Sequence, residues 1–144
     1  MIYYNYDKHI KINLKGGMVM FINLSNHPSS KWSSAQLESA FALTTDNQIK
    51  DIPFPAVPAT ATMDDIIKIA DGLHHTVMAN RPEAIMVAGE FTLAYTMINL
   101  CLRAGIKVVA ACSDRCTKEV VNEDGTTTKT TVFEFIQFRE FPKL

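Results

Sequence analysis

Apolar positions along this chain follow two periods, and the switches between them mark its elements. Residues 18–24 (Met-Val-Met-Phe-Ile-Asn-Leu) form a continuous apolar run of strand length, as expected of a central parallel strand covered on both faces. A polar loop follows, Ser25-Asn26-His27-Pro28-Ser29-Ser30. Ser33 and Gln36 stand at capping-box spacing and predict a helix to about Leu43, with Leu37, Ala40 and Phe41 facing inward. Residues 48–53 read as a second strand, after which Pro53, Pro55 and Pro58 hold an extended loop. Thr62 caps the next helix, where Ile66, Ile69, Ala70, Leu73 and Val77 recur at helical spacing. His74 and His75 fall on the polar face of that helix, and Asn80-Arg81-Pro82 ends it. A third strand is predicted over 84–88. A helix over 91–103 is apolar nearly all round, so more than one side should be buried, and a partner subunit is one way to cover it. Gly105 ends this helix and a fourth strand spans 106–112. Two β-rich stretches, 117–121 and 126–138, then flank Asn122-Glu123-Asp124-Gly125, a hairpin signal.

The order βαβαβαβ plus a hairpin predicts an α/β fold: a parallel sheet with flanking helices and a C-terminal antiparallel β-hairpin. Residues 1–17 stand apart as an N-terminal extension. There Ile10, Ile12 and Leu14 alternate with polar residues like a short edge strand before Gly16-Gly17 breaks the pattern. A single domain is expected over 18–144.

Composition narrows the classes. A chain of 144 residues with 47% hydrophobic content can build one real core. A formal net charge of -1 gives no global field toward duplex DNA or membrane, so neither is an expected partner. No stretch is apolar enough to span a bilayer and the first residues do not resemble a secretory signal, which points to the cytoplasm. The three cysteines, Cys101, Cys112 and Cys116, suit a reducing compartment and are too few for a zinc site. No metal is expected. Dinucleotide and P-loop glycine motifs are both absent, and no cofactor is expected.

The candidate chemistry gathers at strand ends, which in an open parallel sheet share one rim. The first end offers Ser25, Asn26 and His27. The third offers Gly89, Glu90, Phe91 and Thr92, where the glycine lets backbone approach a ligand and the following helix favours an anion. The fourth offers Ser113, Asp114 and Arg115. His27 reads either as a proton carrier or as a loop histidine bonded locally. Glu90 reads either as a catalytic carboxylate or as a cap of its helix. Arg115 reads as a phosphate clamp or as a surface ion-pair residue. By simple alternation Arg139 shares a face with Phe133, Phe135 and Gln137, where it must reach water, a partner or an anion. Trp32 and Phe91 are candidates to stack on a base, with core packing as the alternative.

Three segments together resemble a known family. They are Asn23-Leu24-Ser25-Asn26-His27, Gly89-Glu90-Phe91-Thr92-Leu93-Ala94-Tyr95, and the tail with Asp124-Gly125, Val132-Phe133 and Gln137-Phe138-Arg139-Glu140-Phe141. Over about 18–141 the chain resembles the small stand-alone CRISPR-associated proteins of type III systems, related to CARF domains and including ring nucleases. The resemblance implies a Rossmann-like (CARF-like) domain and a homodimer whose rims face each other across a two-fold axis. It implies a cyclic oligoadenylate ligand, above all cyclic tetra-adenylate, and RNA cleavage without metal that leaves a 2′,3′-cyclic phosphate. On that reading Arg115 clamps phosphate and His27 moves a proton. Glu90 accepts a proton or bonds a ribose or adenine, Ser25, Asn26, Gly89, Phe91, Thr92 and Ser113 line the ligand, and Arg139 supports the site. Three other readings stand beside it. One is a sensor or sink that binds without cutting. Another is a nucleoside glycosidase or deoxyribosyltransferase-like enzyme using Glu90. The last is a structural subunit.

Overall fold

The computed structural model describes residues 19–144. The N-terminal extension and its expected edge strand lie outside the described residues. Five strands form one sheet in the order β2-β1-β3-β4-β5. They are β1 (Met20–Leu24), β2 (Gln48–Ile52), β3 (Pro82–Val87), β4 (Lys107–Val121) and β5 (Thr127–Glu140). The first four run parallel and β5 is antiparallel to β4. The fold is thus mixed α/β, with a mostly parallel sheet, flanking helices and an antiparallel edge.

Burial follows from the two-sided cover. In β1, Phe21 through Leu24 are fully buried because helices cover both faces. Helix α1 (Ser34–Phe41) lies on one face with Phe21, Trp32, Ala40, Met86 and Val109. Helices α2 (Met63–Ala79) and α3 (Phe91–Arg103) cover the other, over Ile22, Leu24, Ile85, Val87 and Val108. Local chemistry sets the helix starts. Ser33 accepts from the Gln36 amide at 3.2 Å, and Thr62 and Asp65 cap each other reciprocally.

Two expectations about the C-terminal third are corrected. The fourth strand does not end at Cys112. β4 continues through Ser113, Asp114 and Arg115 to Val121, so these residues are part of a strand and not a loop. Paired with β5 over its whole length, it makes a two-stranded ribbon that runs well past the parallel sheet, where β3 pairs only with Lys107, Val108 and Val109. The turn is where Asp124-Gly125 predicts it, with Gly125 at φ +81.

The second correction concerns faces. Cys112 pairs with Gln137 but Ser113 pairs with Phe135, so Ile136 is an extra, bulged residue. A one-residue insertion sends every residue beyond it to the other face. Phe133 and Phe135 therefore share a face with Phe138, whose ring packs 5.2 Å from Phe21 and 5.0 Å from Phe135. Arg139 and Gln137 lie on the opposite face, with Ala110 and Cys112.

His74 is also placed differently from its sequence reading. It is 2% exposed, in the buried stripe Ile66, Ala70, His74, Val77, with its Nδ1 3.9 Å from Cys101 Sγ. His75 is exposed, as expected.

Candidate functional site

Strand order reverses between β1 and β3, and in an open α/β sheet the crevice beyond such a switch point is where ligands bind. A cleft of about 710 Å³ opens there. Its floor is the end of β3 (Met86, Val87, Ala88) and its near wall is Ser25, His27, Lys31 and the start of α1. The far wall is the ribbon, with Ser113, Lys118, Phe133, Glu134 and Phe135.

The near wall is rigid for a reason visible at Asn23. This polar residue is wholly buried in a central strand, and its amide donates to Asp51 Oδ1 at 2.9 Å and to the His27 carbonyl at 2.8 Å. Trp32 Nε1 donates to the same carbonyl at 3.2 Å, and the Ser25 hydroxyl donates to Asn23 Oδ1 at 2.7 Å. Asp51 in turn accepts from the amide and hydroxyl of Ser29. The loop backbone is thus pinned while the His27 ring stands exposed, with no side-chain hydrogen bond among the described residues. Ser25 is buried at the cleft wall, and its hydroxyl donates to Asn23 and accepts from the His27 amide, which holds the loop. Asn26 is exposed on the same loop.

The third strand end is built for packing and capping. A Cβ on Gly89 would lie 2.3 Å from the ring of Phe54, a core residue, so a buried aromatic already takes the space beside this glycine. Glu90 is the N-cap of α3. Its carboxylate accepts from the amides of Leu93 at 2.9 Å and Thr92 at 3.0 Å, and from the Thr92 hydroxyl at 2.7 Å. Those bonds hold the Glu90 carboxyl below its usual range. Phe91, 89% exposed, faces away from the cleft. With Thr92, Met63, Ile67 and Tyr95 it lines a second, apolar groove of about 580 Å³ between the first turns of α2 and α3.

The structure therefore divides the predicted site. Ser25, His27 and Ser113 meet at the cleft, whereas Phe91 and Thr92 line the other groove. Arg115 is directly across the ribbon from Phe133, on the same face as Ser113, without lining the cleft itself. Its guanidinium has no carboxylate partner among the described residues. Arg139, turned to the opposite face by the bulge, does not line the cleft. Trp32 is core, 6% exposed. Sequence reasoning missed Lys31, Lys118, Glu134 and Phe133 as cleft residues. It also missed the Asn23–Asp51 bond, whose one signal is an asparagine inside an apolar run.

Two buried titratable groups complete the electrostatics. Burial pushes the Cys101 thiol up to about 12 and lowers the His74 imidazole, and all three cysteines are free. Among the described residues no group of three His, Cys, Asp or Glu side chains could hold a metal ion. No helix of the described residues is long and apolar enough to cross a membrane.

The family model described as "Uncharacterized protein MJ1673 family" matches residues 19–139. No curated protein and no solved structure matches the chain.

Proposed function

We propose a function for a chain that belongs to the MJ1673 family: it is a CARF-like, ring-nuclease-like protein that binds a cyclic oligoadenylate and opens it without metal. The observation that carries this reading is the cleft at the switch point between β1 and β3, which combines an exposed histidine, two lysines and ribbon aromatics in one wall-to-wall space. The ring is cyclic tetra-adenylate, held between two copies of the chain, and its destruction ends type III CRISPR signalling in the cytoplasm. The apolar groove of Met63, Ile67, Phe91 and Tyr95 lies at the same rim and is the surface this reading assigns to the second copy. A two-fold axis doubles each basic group, so a near-neutral chain can still hold several phosphates.

The chemistry asks little of the protein. A ribose 2′-oxygen forms a bond to the adjacent phosphorus, and the bond from phosphorus to the 5′-oxygen breaks. The 2′-hydroxyl gives up a proton and the 5′-oxygen receives one, leaving a 2′,3′-cyclic phosphate. His27 stands at the cleft mouth to serve one of these transfers. Lys31 and Lys118, in the cleft lining, supply positive charge to the phosphoryl oxygens, and Arg115, next to the lining on the Ser113 face of the ribbon, adds to the field there. Glu90 has its carboxylate committed to the start of α3, which weakens the glycosidase reading.

Single-turnover assays on cyclic tetra-adenylate test the roles. His27→Ala should slow cleavage by about 100-fold or more and Arg115→Ala should weaken both binding and rate. Glu90→Gln should cleave within a few-fold of the parent, whereas loss of all activity in Glu90→Gln would favour the glycosidase. One observation favours binding without cutting: among the described residues the His27 ring has no partner to orient it. In that case wild type and His27→Ala bind the ring alike and neither releases products.

A further inference from the structure

Phe133 is an aromatic side chain that the fold leaves in water. It is 74% exposed, although it sits in the middle of a strand with a cross-strand neighbour, Arg115. Its ring contributes nothing to the core, which ends at Phe138 and Phe135. The bulge at Ile136 is what sets its direction. Without that extra residue, Phe133 would turn to the α2 and α3 side of the sheet. With it, Phe133 shares the face on which α1 lies and forms part of the cleft wall. The lining of the same cleft carries Lys31 on one wall and Lys118 on the ribbon. The lining also holds the Glu134 carboxylate; an exposed aromatic in a cleft with two lysines suits a single-stranded nucleotide, whose base has an apolar face and whose phosphate is an anion.

We infer that Phe133 is a base-stacking residue of the cleft and that Lys31 and Lys118 take the phosphates on either side of the stacked nucleotide. This rests on the proposal that the cleft binds a cyclic oligoadenylate, and it deepens that proposal by giving one aromatic of the wall, Phe133, the base-stacking role and placing the two lysines on the flanking phosphates. The ribbon is then the nucleotide-binding arm of the protein, and the bulge is the device that aims it.

The test is a titration of the full chain, made cleavage-deficient by His27→Ala, with cyclic tetra-adenylate and with linear tetra-adenylate. Phe133→Ala should weaken binding by about 10- to 100-fold, the range that single stacked bases show. Phe133→Trp should keep it, and Phe133→Leu should lose it, because bulk without a π face does not stack. Each variant should melt with the parent, since the ring is outside the core. Lys31→Gln and Lys118→Gln should each make the dependence of log affinity on log salt shallower by about 0.7. Cyclic tetra-adenylate bound equally by the parent and Phe133→Ala would overturn the inference and leave the cyclic-nucleotide reading standing. Linear tetra-adenylate bound through Phe133, with the cyclic form ignored, would do the reverse. Binding of neither would overturn both.

Discussion

Gly89 and Glu90 show how one residue can look like chemistry and serve architecture. A glycine after a buried strand invites a ligand-approach reading, but here its missing Cβ makes room for Phe54. Gly89→Ala should destabilise the fold by roughly 1–3 kcal/mol through overpacking, and Phe54→Leu in the same chain should recover part of that. Thermal melts of the two variants decide it, and an unchanged melting temperature for Gly89→Ala would contradict the packing role. Glu90→Ala should lower the melting temperature by a few degrees through loss of the α3 cap. His74 carries a pH prediction. Burial lowers its folded-state value, with the neighbouring His75 in the same direction and Asp71 opposing. The unfolded chain therefore binds the proton at higher pH than the folded one, and stability falls as pH drops through the ordinary histidine range near 6.5. Denaturation midpoints at pH 7.5 and 5 should differ less in His74→Leu than in the parent. That His74 is buried could be read from its i+4 spacing to Ala70 and Ile66. A polar residue type concealed it.

At the scale of elements, the parts whose burial is periodic were legible. The helix over 91–103, the start at Thr62, the apolar run of β1 and the Asp124-Gly125 turn all follow from spacing and turn chemistry. What escaped was the strand character of Ser113-Asp114-Arg115. Hydrophobic patterning reports burial, and a ribbon with both faces in water leaves no apolar period to read. The bulge was equally hidden, because Val132-Phe133-Glu134-Phe135 alternates correctly and nothing in residue type marks Ile136 as extra. The ribbon makes its own prediction. Two strands without cover are marginal in water, so in the isolated chain the amides of 114–121 and 127–134 should exchange roughly 100-fold faster than those of β1 and β3. Hydrogen exchange read by mass spectrometry measures this. Equal protection in a chain shown to be monomeric would mean the ribbon is covered by something within the same molecule.

For the whole molecule, the legible part was the architecture and the rim, and the illegible part was which rim residues meet. Strand-end position alone put Ser25, Glu90 and Arg115 in one site. The structure gives one cleft with His27, Ser113 and the ribbon, and a separate apolar groove with Phe91 and Tyr95. The two lie on one rim, and the proposed two-fold assembly would bury the apolar groove and enclose a ligand in the cleft. The decisive measurement for cyclic oligoadenylate cleavage is incubation of the chain, with chelator present, with cyclic tetra-adenylate, followed by resolution of the products. Linear di-adenylate ending in a 2′,3′-cyclic phosphate, lost in His27→Ala, is the product expected of a ring nuclease. A ring that is neither bound nor opened by the wild-type chain would contradict that reading.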